Sequence, residues 1–118
     1  MIHLKTERDI AGLRRAAELV GEVLMGVAQT VAPGVETKTL DEAAEALIRS
    51  KGARPAFKGY GGGGSMIPFP ASLCISVNDV VVHGIPNGTM LAEGDVVSVD
   101  CGVELEGYFG DYAYTFAV

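Results

Sequence analysis

Asp100 and Asp111 are the two residues whose type and spacing point most directly to chemistry. They lie in the stretch Val96 to Phe116, which reads as a β-hairpin. A β-branched run leads into Glu106-Gly107, a turn pair, and an alternating aromatic run follows. If Glu106-Gly107 is a two-residue turn, Leu105 faces Tyr108, Gly102 faces Asp111 and Asp100 faces Ala113. If the loop has four residues, Asp100 faces Asp111 directly. Side chains alternate with a period of two, so either register puts both carboxylates on one face of the sheet. They are direct or diagonal cross-strand neighbours, within about 8 Å at the backbone. Two like charges that close repel each other, and a divalent cation with hard oxygen ligands offsets the repulsion. The competing reading is a pair of solvated aspartates on a wet sheet face.

The neighbours on each face sharpen that choice. In the two-residue register the carboxylate face also carries Ser98, Gly102, Ala113, Thr115 and Ala117, all small. The opposite face carries Val97, Val99, Cys101, Val103, Tyr112, Tyr114 and Phe116, which are expected in the core. The pattern describes a hydrophobic wall behind a shallow floor with two carboxylates and room above it. Cys101 faces away from Asp100, so it is a poor candidate for the same metal. A second chemical residue is His83, which ends a β-branched run and precedes Gly84 and the rigid Ile85-Pro86 pair. That context places the imidazole at a strand end, although a lone histidine is more often structural than functional.

Composition bounds the answer. The chain has 118 residues, enough for one domain or part of one, with 48% hydrophobic residues, as in a globular protein. No apolar run reaches the length of a membrane span, and the N-terminus lacks the apolar core of a signal peptide. A net charge of −6 argues against nucleic acid as the main partner. Two cysteines, Cys74 and Cys101, make no disulfide framework. Free thiols in a reducing, cytoplasmic compartment are expected. Asn87-Gly88-Thr89 reads as a turn rather than a glycosylation site.

Two helices are needed to back the sheet. Thr6 is a candidate N-cap with acid in the first turn, followed by Ile10, Leu13, Ala17, Val20, Leu24, Val27 and Val31 at three- and four-residue steps. Ala32-Pro33-Gly34 stops that helix. Thr39-Leu40-Asp41-Glu42 reads as a capping box opening a second helix, which Lys51-Gly52 closes. Pro55 to Pro70 contains four consecutive glycines and is expected to be a flexible surface loop, with 61–68 as its glycine-rich part. Ser72 to Val77 reads as a strand, Asn78-Asp79 as a turn, and Val80-Val81-Val82 as the start of another strand.

Several of these pieces occur together in a known family. Val82-His83-Gly84-Ile85-Pro86, Ser72 to Asn78, the Glu93-Gly94-Asp95 turn, and Asp100 with Asp111 resemble bacterial type I methionine aminopeptidase. Lys5 to Ile10 and Val31 to Val35 are also similar. The resemblance spans nearly the whole chain. It implies an α+β fold, half of a pita-bread architecture, with an antiparallel sheet and two helices packed on one side. It implies a single domain over 1–118 that is the N-terminal half of a catalytic domain. The implied activity is metal-dependent removal of N-terminal methionine from nascent chains and peptides, with one or two divalent ions such as cobalt, manganese, iron or zinc.

By the same resemblance Asp100 and Asp111 are metal ligands and His83 is a catalytic and substrate-binding residue. Phe57, Tyr60, Phe69 and Cys74 match positions lining a methionine pocket, and the backbone of Asn78 to Val80 matches a monovalent-cation loop. The family's other ligands, a histidine and two glutamates, belong to a second half, so this chain is expected to be catalytically incomplete. Its implied partners are a peptide N-terminus, and either the missing half or a second copy of itself. The segment 61–68 reads as an insertion in the pocket loop, and Phe109 and Tyr112 depart from the family pattern without removing an expected ligand. Two further readings stand beside this one: a non-catalytic binding or structural module of the same fold, and a fragment of a proline-specific aminopeptidase.

Overall fold

A computed structural model describes residues 1–118. Two helices, α1 (Glu7–Thr30) and α2 (Thr37–Ser50), precede four strands: β1 (Arg54–Pro55), β2 (Leu73–Val77), β3 (Val96–Leu105) and β4 (Tyr108–Ala117). The sheet is antiparallel and β3 is its centre. β2 pairs with Val97 to Cys101 and β1 with Val103 and Glu104, while β4 runs along the whole of the other edge. Both helices contribute to one core with Val97, Val99, Cys101 and Val103, all fully buried. The architecture is α+β, with helices on one face and an open second face. No helix is long and apolar enough to cross a membrane.

Helix α1 starts where its sequence says it should. Thr6 Oγ1 accepts the Asp9 N–H while the Asp9 carboxylate accepts the Thr6 N–H, a reciprocal capping box. Its buried stripe is Gly12, Ala16, Leu19, Val20, Val23, Leu24 and Val27. Ile10 and Ala17 are exposed instead, so the stripe is rotated from the expected one. The rotation follows from close contact with β4. A methyl group on Gly12 would strike the Tyr108 ring, and one on Gly110 would lie 2.6 Å from the Ala16 carbonyl oxygen. Glycine at both positions lets helix and strand touch there.

The second helix begins three residues earlier than expected, at Thr37 with Glu36 as N-cap, and has no side-chain cap. The Thr37 and Lys38 N–H groups donate instead to the carbonyls of Thr89 and Asn87. Thr39 and Glu42 are therefore not cap residues, because the 87–89 loop already serves the helix start. Gly52 terminates the helix at φ +73, as the glycine signal implied.

Two further expectations are corrected, one at Val80 to Val82 and one at Tyr112 and Tyr114. Val80 to Val82 form no strand and are exposed: Val80 N–H closes a turn onto Val77 O at the end of β2, and the bond alongside β2 is made by Gly84 O with Ile75 N–H. The glycine-rich segment is a folded-back excursion: Gly59 N–H donates to Phe69 O at 2.8 Å, Phe69 N–H to Tyr60 O at 2.9 Å, and a tight turn spans Gly63 to Met66. Tyr112 and Tyr114 are more than half exposed, not core. Beyond the close contacts of Gly12 with Tyr108 and of Gly110 with Ala16, an open groove of about 810 Å³ lies between α1 and β4, lined by Gly21, Leu24, Met25, Tyr112, Tyr114 and Phe116. The outer edge of β4 beside it has no strand partner.

Candidate metal centre

The hairpin turn settles the geometry of the two aspartates. Leu105 pairs with Tyr108, so Glu106-Gly107 is a two-residue turn. Both turn residues have positive φ, 52° and 82°, which matches the twist of the flanking strands. Arg15 ion-pairs with Glu106 at 2.9 Å and the Tyr108 hydroxyl donates to Asp9 at 2.9 Å, so the turn is tied to α1. In this register Gly102 faces Asp111 and Asp100 faces Ala113. The carboxylates are diagonal neighbours on the open face of the sheet.

They interact directly. Burial pushes the Asp100 carboxyl up to about 6, and the hydrogen-bonding contact and negative charge of Asp111 push in the same direction. His83 lies near enough for its charge to act the other way. Asp100 Oδ1 is buried and has no hydrogen-bond partner. A buried carboxylate oxygen without a donor is costly, and the like charge of Asp111 adds to the cost. Such a pair fits a divalent cation held by Asp100 and Asp111.

The surrounding residues come from three elements. Cys74 on β2 is paired with Asp100, so the thiol lies on the same face. Burial, then the charges of Asp100 and Asp111, raise that thiol to about 11, so it is an apolar wall and not a nucleophile. Cys101 faces the core as expected, and burial raises its thiol to about 12. Ser98 and Thr115 share a hydrogen bond of 2.9 Å further along the floor. The Phe57 ring lies over Gly102: a methyl group there would be 2.5 Å from the ring. Phe57 is thereby next to Asp111.

His83 reaches the site through backbone strain. Val82 and His83 both sit at positive φ, 40° and 54°. Side chains rarely adopt that region, at roughly 1–2 kcal/mol each. Two bonds hold them there: Ile75 N–H donates to Gly84 O at 2.8 Å, and Gly84 N–H to Ser76 Oγ at 3.1 Å. Ser76 shares the open face with Cys74, so His83 is anchored at its rim. Gly84 has no alternative, since a methyl group would collide with the Ile75 carbonyl.

The structure thus assembles Asp100, Asp111, His83, Cys74 and Phe57. Tyr60 points into solvent at 78% exposure, and Phe69 is half-buried with its backbone bound to Gly59 and Tyr60. Asn78 and Val80 lie elsewhere, lining a separate cavity of about 290 Å³ with Thr37, Gly84, Asn87 and Thr89. The Asn78 side chain is spent on Asp95 and the Val96 N–H. Glu104 shares the carboxylate face by the same period of two, but Arg54 on β1 takes its charge. No group of three or more His, Cys, Asp or Glu side chains is placed to hold a metal.

Comparison with known proteins identifies the family. The model of metallopeptidase family M24 matches residues 11–118. Methionine aminopeptidase of Clostridium acetobutylicum is 48% identical over 119 aligned residues, covering all of this chain and 45% of that protein. The crystal structure of methionine aminopeptidase from Rickettsia prowazekii superimposes with a TM-score of 0.93 at 39% identity, covering all of this chain and 45% of that one. A prolidase from Pyrococcus horikoshii shares the fold at a TM-score of 0.81 and 22% identity, over 98% of this chain and 30% of its own. The chain spans about half the length of the methionine aminopeptidases it matches. Its fold is one half of theirs, and the chain belongs to metallopeptidase family M24.

Proposed function

We propose that this chain supplies the N-terminal half of a metal-dependent methionine aminopeptidase site. The observation that supports the reading is the diagonal Asp100–Asp111 pair, with its buried, partnerless carboxylate oxygen, in an M24 chain. Asp100 and Asp111 would hold divalent ions, which when bound supply Lewis-acid activation of a water. His83, at the rim, is placed to hydrogen-bond the substrate carbonyl as charge develops on it. Phe57 and Cys74 form the apolar side, suited to an unbranched thioether. Phe69, Tyr60 and the Asn78–Val80 backbone, assigned to pocket and cation loop by resemblance, stand further from the pair. The free thiols of Cys74 and Cys101 fit a reducing compartment.

Two carboxylates are too few for a tight dedicated metal site, and no third His, Cys, Asp or Glu is grouped with them to hold a metal. The remaining ligands come from outside residues 1–118. The unpaired β4 edge and the apolar groove beside it are the surfaces a completing half would cover. The same shortage of ligands favours the second reading, a non-catalytic module that keeps the shape.

Release of free methionine from a Met-Ala-Ser peptide tests the reading, with cobalt or manganese added and a chelator control. The chain alone is expected to release none while binding the metal weakly by calorimetry. Metal-dependent release by the chain alone would overturn its incompleteness. Absence of any metal binding that Asp100→Asn abolishes would favour the non-catalytic module.

A further inference from the structure

Two acidic residues on α2 have no part in the site described above. Asp41 and Glu45 lie one turn apart, so they share a helix face. That face meets the segment that carries Phe57 at its start and runs through the glycine tract to β2. Asp41 Oδ1 accepts the backbone N–H of Ser72 at 2.9 Å and of Leu73 at 2.7 Å. Glu45 Oε2 accepts Lys58 Nζ at 2.8 Å and Ser72 Oγ at 2.9 Å, while Oε1 accepts Arg49 Nε at 2.9 Å.

Lys58 directly follows Phe57, and Ser72 is where the chain enters β2. The two carboxylates therefore grip both ends of one excursion, residues 58–72. Between the ends, a span with five glycines, from Gly59 to Gly64, has little conformational preference of its own. Its order comes from closure: once the ends are held together, Gly59 and Phe69 are within reach of the backbone bonds that zip the base of the excursion. The same closure determines where Phe57 stands. Ala56 N–H donates to Gly102 O at 2.9 Å on one side of it, Lys58 is held by Glu45 on the other, and the ring lies against Gly102.

Burial distinguishes this pair from ordinary surface acids. Asp41 is only 9% exposed, and it spends a desolvated charge on two backbone donors that any sequence at 72–73 would offer. Glu45 adds the side-chain contacts, one to each end. A helix packed for stability alone needs neither.

We propose that Asp41 and Glu45 are positioning residues that close both ends of the 58–72 excursion on α2, hold Phe57 against Gly102 beside Asp111, and so set the apolar wall of the substrate pocket. The pocket part rests on the methionine-binding reading above; the clamp itself does not.

The test is amide exchange and chemical shift on the intact chain, with Glu45→Gln, Lys58→Gln and Lys58→Arg. Lys58 is exposed, so its variants keep the fold. Glu45→Gln and Lys58→Gln are each expected to speed exchange at Gly59 and Phe69 at least tenfold and to shift the Gly102 amide as the Phe57 ring leaves it. Amides of β3 away from Gly102 keep their rates, and Lys58→Arg restores the parent values. Unchanged exchange at Gly59 and Phe69 overturns the clamp. Equal acceleration across α2 and β3 overturns it too, since Glu45 would then be a stability residue only. Titration with methioninamide checks the pocket separately. Shifts at Phe57 and Cys74, weakened at least threefold in Lys58→Gln, support the positioning role. No shift in the parent chain overturns the pocket assignment whatever the exchange data show.

Discussion

Asp111 stands opposite Gly102 and not opposite Asp100, so the two carboxylates meet on a diagonal across β3 and β4. Burial first, and then the contact with Asp111, raise the Asp100 carboxyl to about 6. Removing one charge should relieve the other. Asp111→Asn is expected to raise stability at pH 7 by about 1 kcal/mol, a value discounted for the solvent that reaches the pair. Millimolar manganese should raise the thermal midpoint of the parent chain and leave that of the variant unmoved. A scanning calorimeter reads both. A variant less stable than the parent would show that Asp111 contributes hydrogen bonds that outweigh the repulsion.

Gly102 and Gly110 are both tight, for different reasons. A methyl group on Gly102 meets the Phe57 ring at 2.5 Å, and one on Gly110 meets the Ala16 backbone at 2.6 Å. A ring on a loop-borne side chain can swing aside, whereas the helix backbone moves only with the whole of α1. Gly102→Ala should cost about 1–2 kcal/mol and Gly110→Ala about 3 or more, within the range and upper tail of overpacking. Urea denaturation of the two variants gives the order. The reverse order would mean that Phe57 is held more rigidly than α1.

The carboxylate face was legible because period-two alternation survives uncertainty in the turn: Asp100 and Asp111 share a face in either register. The capping box at Thr6 and the glycine stop at Gly52 were legible because they are local chemistry. Other features depended on contacts distant in sequence. Thr37 starts α2 because the carbonyls of Asn87 and Thr89 receive its N–H groups, fifty residues away. Val80 to Val82 have strand-forming side chains, but a strand needs a partner edge: Val80 only closes a turn onto Val77, and Gly84 makes the bond alongside β2. Tyr112 and Tyr114 alternate like core residues, yet burial depends on what lies over them, and there an open groove lies between α1 and β4. Asp41 had no role of its own in the Thr39–Glu42 capping-box reading; only the fold brings Ser72 and Leu73 to it.

The exposed tyrosines carry their own prediction. Tyr112 and Tyr114 bury little in this chain, so replacing both with serine should change its stability by under about 1 kcal/mol. If the groove and the β4 edge receive a completing half or a second copy, the same double variant should weaken that association at least tenfold. Sedimentation velocity at several concentrations measures it. Association that the double variant leaves intact would place the interface on another surface.

The Glu45 network predicts an acid-sensitive contribution to stability. Its carboxyl is lowered from 4.5 to about 2, chiefly by the Lys58 hydrogen bond, with Arg49 and Ser72 assisting against burial. A depressed carboxylate binds fewer protons in the folded chain than in the unfolded one across that interval, so its contribution is complete above pH 4.5 and is lost as pH falls towards 2. The full linkage value overstates it, because Lys58 and Arg49 are about half exposed. About 1 kcal/mol is the expected size at pH 7. Asp41 works in the opposite sense: burial raises its carboxyl, so its ionised form costs stability that protonation relieves. Glu45→Gln should therefore destabilise the chain by about 1 kcal/mol at pH 7 and by nearly nothing at pH 2, flattening the acid side of the stability profile. Urea midpoints at half-unit pH steps measure this. A difference between parent and variant that stays constant from pH 7 to pH 2 would assign the effect of Glu45 to packing and not to its charge.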